Sequence, residues 1–143
     1  MNITIKRIDK TLPLPAYHSA GAAAFDFYSR VDMTIAVGEI ARIPTNFVIA
    51  TPPGHTLIVC LRSSTPKRKG LSHPAGIGVV DSDYRGPNDE IMVQVHNISG
   101  APVIIERGER IGQGFIAAAP RLEFTEVAEM DAPTRGGFGS TGT

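Results

Sequence analysis

Apolar and polar side chains alternate in several short runs of this chain: Ile3 and Ile5, Leu57 and Val59, then Ile91, Val93 and Val95, and finally Leu122 and Phe124. A spacing of two puts such side chains on one face of an extended backbone, so each run predicts a half-buried β-strand. Breakers such as Pro52-Pro53-Gly54 and Ser99-Gly100 separate the runs. No stretch of about 11 residues keeps a helical period without a proline or glycine inside it. The pattern predicts an all-β sandwich or barrel with very little helix. A single helical turn is expected after Ser63-Ser64, with Thr65 as its cap, Pro66 at its first position and Gly70 as its stop. From residue 131 to residue 143 the alternation ends. That stretch holds Gly136, Gly137, Gly139 and Gly142 but a single large apolar side chain, Phe138. It cannot supply a core face, so residues 1–130 are expected to form the domain and residues 131–143 an arm, mobile when nothing is bound.

Composition supports a folded chain of one domain, with 143 residues, 42% of them hydrophobic and 20% charged. The 15 glycines and 11 prolines exceed the usual share and suit many turns. Lysine plus arginine (14) balances aspartate plus glutamate (14), so no net basic field is available for a polyanion and no nucleic-acid partner is expected. No run approaches the roughly 18 to 20 apolar residues that span a bilayer. The stretch around Lys6, Arg7, Asp9 and Lys10 holds no apolar signal core, which points to a cytoplasmic protein without membrane association. Cys60 stands alone, which excludes an internal disulfide, and in its apolar run it reads as a buried small hydrophobe. His18, His55, His73 and His96 form no short pair and have no cysteine pair beside them, which argues against zinc.

Four polar clusters could carry chemistry, and each also has an ordinary structural reading. Gly137-Phe138-Gly139-Ser140-Thr141-Gly142 matches a dinucleotide fingerprint in form, but no strand precedes it and no helix follows. Its successive backbone NH groups, with Arg135 and the Ser140 and Thr141 hydroxyls, can instead wrap a phosphate. Arg62-Ser63-Ser64 joins a cation and two hydroxyls at a strand end, either a phosphate seat or a helix cap. The run from Gly78 to Gly86 carries an apolar strand into a turn holding Asp81, Asp83, Tyr84 and Arg85. Such a turn needs no function, yet a carboxylate at a rigid strand end is well placed as a general base for water. Around Gly108-Glu109-Arg110-Ile111-Gly112-Gln113 the ordinary reading is a charged hairpin. Together the clusters suggest a phosphate-bearing ligand.

In order, Ala22-Ala23-Ala24-Phe25-Asp26-Phe27-Tyr28-Ser29, Arg62-Ser63-Ser64 with Gly70, the run Gly78 to Gly86, Gly108 to Gln113, and Arg135-Gly136-Gly137-Phe138-Gly139-Ser140-Thr141-Gly142 resemble the motifs of the trimeric deoxyuridine triphosphatases (dUTPases). The resemblance implies a jelly-roll-like β-barrel that forms a homotrimer, each active site being shared among subunits. It implies hydrolysis of dUTP to dUMP and pyrophosphate, which limits uracil incorporation into DNA and supplies dUMP for dTMP synthesis. By position, Asp81 resembles the residue that activates the water attacking the α-phosphorus, and Tyr84 the ring that leaves no room for a 2′-hydroxyl. Arg62, Ser63, Ser64 and Gln113 resemble phosphate ligands. Ala75, Gly78, Val79 and Val80, with Met92, resemble the uracil pocket. Phe138 resembles the ring that stacks on the base, while Arg135, Gly139, Ser140 and Thr141 resemble the group that closes over the γ-phosphate. Magnesium is implied on the triphosphate, with Asp26 holding one of its waters.

The chain departs from that pattern at four places. Ala24 stands where glycine is usual, and Pro87-Asn88-Asp89-Glu90 lengthens the path from Gly86 to Asn97. Arg135 lies two residues nearer to Phe138 than in the common form. Arg68, in the run Lys67-Arg68-Lys69, replaces a lysine; that run also reads as a solvated turn. Two other functions compete. A dCTP deaminase shares the fold and an Arg-Ser-Ser motif, but it needs a glutamate where this chain has Gln94, and an amide cannot shuttle protons. A nucleotide-sensing module without turnover would not need Asp81, Tyr84 and Phe138 together.

Overall fold

Strand pairing organises the chain in the computed structural model, which describes residues 2–137. The strands are β1 (Thr4–Arg7), β2 (Phe25–Tyr28), β3 (Met33–Ile35), β4 (Ile40–Pro44), β5 (Phe47–Ala50), β6 (His55–Leu61), β7 (Leu71–Ser72), β8 (Gly78–Val80), β9 (Met92–Asn97), β10 (Val103–Ile105) and β11 (Arg110–Ala118). One short helix, α1 (Thr65–Lys69), lies between β6 and β7. The largest sheet runs β2-β11-β6-β8, a second runs β4-β9-β7, and β1-β5 and β10-β3 form two-stranded ribbons. Every strand pairing is antiparallel. This is the expected all-β, jelly-roll-like architecture.

Period two does what it predicts in the middle of the chain. Leu57 and Val59 on β6, and Val93 and Val95 on β9 with Ile91 just before it, are all buried, and they meet Phe27, Ile43, Phe47 and Ile49 in one core. Cys60 falls on the other face of β6 and is only half-buried, because alternation turns it away from Leu57 and Val59. Ile5 lies half-buried on β1, whereas Ile3 is exposed one residue before it.

Two expectations need correction. Leu122 and Phe124 form no strand: residues 119–137 carry no helix or strand, and the two side chains are 71% and 92% exposed. Alternation makes a segment compatible with a sheet, but a strand forms only where a neighbouring edge satisfies its amides and carbonyls. At α1 the N-cap is Ser64, not Thr65, and it makes no side-chain capping bond. Thr65 is the buried first helical residue, followed by Pro66. Gly70 ends the helix as expected, with φ 64° in the left-handed region, and donates to the Pro66 carbonyl at 2.9 Å. Of the basic run, Lys69 is not simply solvated, since its Nζ meets Glu109 at 2.8 Å and donates to the Ile104 carbonyl at 2.8 Å.

Strand β11 holds the main sheet together, pairing with β2 on one side and β6 on the other. Its glycines permit that. A Cβ on Gly114 would stand 2.7 Å from Phe27 Cε2, and one on Gly112 would stand 2.9 Å from Val93 Cγ2 and 3.1 Å from the Cys60 carbonyl oxygen. The core therefore closes onto bare backbone. Gly114→Ala should destabilise the fold by about 1–3 kcal/mol through overpacking against Phe27. Urea unfolding at fixed protein concentration checks this, and an unchanged midpoint would contradict the packing described.

Candidate functional site

Register on the main sheet assembles the first group of site residues. Gln113 on β11 lies directly opposite Asp26 on β2 and opposite Cys60 on β6, so the three form a row across three strands. Directly opposed residues share a face of the sheet. Just beyond the end of β6 follow Arg62, Ser63 and Ser64, and these with Asp26, Gln113, His18, Ser19, Ala22 and Ala24 line a cavity of about 230 Å³. A second cavity of about 340 Å³ also borders Arg62 and Ser64 and adds Arg68, Lys69 and Arg110, so cationic groups concentrate at this end of the sheet.

Asp26 organises the cluster electrostatically. Its buried carboxylate meets Arg62 Nε at 3.3 Å through Oδ1, and Arg110 Nη1 at 3.2 Å and His18 Nε2 at 3.5 Å through Oδ2. His18 Nε2 also lies 3.3 Å from the Tyr28 hydroxyl. The carboxylate holds two guanidinium groups beside a cavity that also carries the Ser63 and Ser64 hydroxyls and the Gln113 amide. Gln113 Nε2 donates to the Leu61 carbonyl at 3.2 Å, which fixes its orientation. Cations and hydroxyls around a small concave space suit the oxygens of a phosphate chain. Sequence reasoning missed His18 and Arg110 as members. Arg110 sits in a motif that had been singled out for other residues, and a register shift between Arg110 and Gly112 accompanies its approach to Asp26. His18 carries no local signal: its loop is brought alongside by the isolated bridge of Ala16 to Asp26.

The second group sits on β8 and the turns flanking it. Gly78, Val79 and Val80 pair with Val59, Ile58 and Leu57 of β6. At Gly78 the backbone passes so close to β6 that a Cβ would lie 3.3 Å from Val59 Cβ. Val80 packs toward the core, and its carbonyl accepts the Thr56 hydroxyl at 2.9 Å, whereas Val79 is 61% exposed. Ala75 is exposed, and its amide donates to His73 Nδ1 at 3.2 Å. Burial lowers the pKa of His73 below its ordinary 6.5, which favours the neutral ring that can accept this bond. Asp81 is exposed in the turn after β8; Tyr84 donates its amide to the Asp81 carbonyl at 3.2 Å and its hydroxyl to the Glu90 carbonyl at 3.2 Å. Met92 opens β9 and is also exposed.

The two groups do not meet within one chain. Extending the β6–β8 register places Asp81 beside Thr56, while Arg62 lies six residues further along, roughly 20 Å at about 3.3 Å per residue. Arg135 is described but exposed and outside any strand. Phe138, Gly139, Ser140 and Thr141 lie outside the described residues. Among the described residues no group of three or more histidine, cysteine, aspartate or glutamate side chains is arranged to hold a metal ion. No helix among the described residues is long and apolar enough to cross a membrane.

Comparison with known proteins gives this arrangement its context. The family model described as dUTPase matches residues 10–142. The deoxyuridine 5'-triphosphate nucleotidohydrolase of Dictyoglomus turgidum is 42% identical over 148 aligned residues, covering 99% of each chain. The protein of the same description from Caulobacter vibrioides is 43% identical over 137 residues, covering 92% of this chain and 86% of its own. Among solved structures, the dUTPase of Streptococcus mutans superposes with a TM-score of 0.76 at 30% identity, over 84% of this chain and 98% of its own. The Staphylococcus bacteriophage 80alpha dUTPase solved with dUpNHpp superposes with a TM-score of 0.87 over 99% of both chains, and at 20% identity that likeness speaks for the fold alone. With a family model over nearly its whole length and relatives above 40% identity, this chain belongs to the dUTPase family.

Proposed function

We propose that the protein hydrolyses dUTP to dUMP and pyrophosphate. One observation carries this reading beyond family membership: the cluster around Arg62, Ser63, Ser64 and Gln113 suits a phosphate chain, while a separate surface around Gly78, Asp81 and Tyr84 offers backbone groups, a carboxylate and a ring. Asp81 takes the proton of a water as that water's oxygen bonds to the α-phosphorus. The bridge from α-phosphorus to the oxygen of the β-phosphate breaks, and pyrophosphate leaves. Arg62, Ser63, Ser64 and Gln113 hold phosphate oxygens and balance the charge that develops on them. Tyr84 lies against the deoxyribose, and the hairpin of Ala75, Gly78, Val79 and Val80, with Met92, takes the uracil. Phe138 stacks over the base, and Arg135, Gly139, Ser140 and Thr141 close on the γ-phosphate.

The donor set bears on magnesium. Asp26 has both carboxylate oxygens engaged by cationic or titratable side chains, so the protein offers oxygens for the ion's water shell rather than a cage of direct ligands. That would fit an ion carried by the triphosphate, with Asp26 as the residue that would hold one of its waters. Magnesium supplies neutralisation of the substrate's negative charge.

The same geometry supports sites shared between copies of the chain. The separation of Asp81 from Arg62 within one chain supports a site completed by a second copy, and a homotrimer would close such an arrangement by symmetry. Exposed apolar surface supports association: Leu122, Phe124, Val127 and Met130 are 71%, 92%, 57% and 81% exposed. An open apolar cavity of about 670 Å³ is lined by residues such as Ile3, Leu14, Tyr17, Phe25 and Phe115.

Asp81→Asn should lower turnover by roughly 10² to 10⁴ while nucleotide binding persists. Assays of dUTP, dTTP, UTP and dCTP side by side should yield pyrophosphate from dUTP alone. Ammonia from dCTP would indicate a deaminase despite Gln94, and binding of dUTP without turnover would indicate a sensor. Light scattering at micromolar concentration should report three copies of the 15.2 kDa chain, and a monomer mass would remove the shared-site reading.

His73 adds a pH dependence. Its pKa is lowered in the folded hairpin, so neutral His73 stabilises that hairpin above pH 6.5, and the contribution is lost as pH falls through the lowered value. dUMP affinity should weaken on the acid side in the wild type, and the weakening should diminish in His73→Asn, which offers an acceptor that does not titrate. An identical acid profile in both proteins, followed by calorimetry, would show that His73 is not the group responsible.

A further inference from the structure

Tyr84 stands 41% exposed in an open turn, where a ring meant to discriminate between sugars needs support from elsewhere. Its phenol finds that support on the carbonyl of Glu90, an acidic residue only 6% exposed. A buried carboxylate persists only where its charge and lone pairs are satisfied. Arg30 does this with a two-pronged grip, Nε donating to Oε1 and Nη2 to Oε2, both at 2.9 Å, and the Asn46 amide adds a third bond to Oε1 at 2.7 Å. Asn46 itself adopts φ 79°, a left-handed conformation that a side-chain-bearing residue keeps only when its surroundings determine it. Those surroundings are Asp9, whose amide donates to Asn46 Oδ1 at 2.6 Å and whose carbonyl accepts from Nδ2 at 2.9 Å. One residue beyond Glu90, the Ile91 amide donates to Phe47 at 2.8 Å, and its carbonyl accepts the Thr45 hydroxyl at 2.7 Å.

The lengthened connection between Gly86 and Glu90 is likewise tied down. The Gly86 amide donates to Asp89 Oδ2 at 2.6 Å, Lys6 Nζ donates to the Pro87 carbonyl at 2.5 Å, and the Glu90 amide donates to the Asn88 carbonyl at 2.9 Å. A Cβ on Gly86 would stand 2.8 Å from Asp89 Oδ2, so a side chain there would displace the Asp89 carboxylate. The acceptor for the Tyr84 hydroxyl is thus anchored to the core through Arg30, Asn46 and Ile91, in addition to its bond within the connection from Gly86.

We propose that Glu90 is a positioning residue for Tyr84, and that the Arg30–Glu90 pair sets how strongly the site rejects a ribose in favour of a deoxyribose. The inference rests on the reading of Tyr84 as the wall beside the sugar. One hydroxyl is discriminated well only where the pocket cannot yield, and a phenol pinned to a core-anchored carbonyl cannot tilt to admit a 2′-oxygen. Glu90 touches neither substrate nor water in this scheme; it acts through the ring.

The test is calorimetric titration of the full-length protein, with magnesium, using the α,β-imido analogues of dUTP and UTP, which are not turned over. The variants are Glu90→Gln, which keeps the side-chain shape while weakening the Arg30 grip, Tyr84→Phe, which removes only the phenol donor, and the double variant. In each single variant the preference for the deoxy analogue should fall about tenfold, chiefly through tighter UTP-analogue binding, and the double variant should lose no more than either, because both act on one bond. Tyr84→Phe alters one hydroxyl of an exposed side chain, so it reads the bond even if Glu90→Gln folds poorly. Retention of the wild-type preference in either folded variant overturns the proposal, as does an equal loss of affinity for both analogues, which is what mere structural damage would cause. A wild-type protein that binds neither analogue, or both alike, would overturn the functional reading along with it.

Discussion

The contact of β11 with its two neighbours is the constraint on which the site depends. Gly112 and Gly114 let the strand lie close against Val93 and Phe27, and the resulting register places Gln113 opposite both Asp26 and Cys60. Were β11 displaced by one residue, every side chain on it would change face, and Gln113 would leave the row that faces the cavity. Core packing and site geometry are in this sense the same fact. The bare backbone that closes the barrel interior also fixes which polar side chains stand together on its outer face.

Charge explains why the groups around that row can stand together. Arg62 and Arg110 beside a cavity would repel each other if left alone, and Asp26 lies between them within 3.3 Å of one and 3.2 Å of the other. A buried carboxylate with two cationic partners is well compensated, whereas removing either partner would leave a poorly solvated charge. On the proposed function, an incoming phosphate chain would offer the guanidinium groups a competing anion, so binding would exchange one set of ion pairs for another.

What was legible in the sequence follows from how local each signal is. Turn chemistry is local, so the positions of Arg62-Ser63-Ser64, of the Asp81 to Gly86 turn and of the Gly70 stop could be read from neighbouring residues. The helix start was misplaced by one residue because Ser64 and Thr65 have nearly equal capping chemistry, and burial of Thr65 decides between them. His18 and Arg110 were not legible, since they reach Asp26 only through pairing between segments far apart in sequence. Leu122 and Phe124 show the opposite failure. Their alternation is a true signal of sheet compatibility, but among the described residues no strand edge pairs with them.

The exposure of that segment and the separation of Asp81 from Arg62 have a common logic. A chain of this size that kept both halves of a nucleotide site on one surface would have to fold a loop across the length of β6, at considerable entropic cost. In the proposed homotrimer, repeating a compact barrel by symmetry would bring the end of one sheet against the hairpin of another without any such loop. In such an assembly precision would have to come from each barrel separately, because only association would join the two halves. The bonds from Tyr84 to Glu90, and from Glu90 to Arg30 and Asn46, supply it on the hairpin side. On the phosphate side the corresponding anchor is the Gln113 bond to Leu61 and the ion pairs of Asp26. Each half is organised by bonds within one chain, which would reduce the ordering that association and substrate binding must impose on the proposed site.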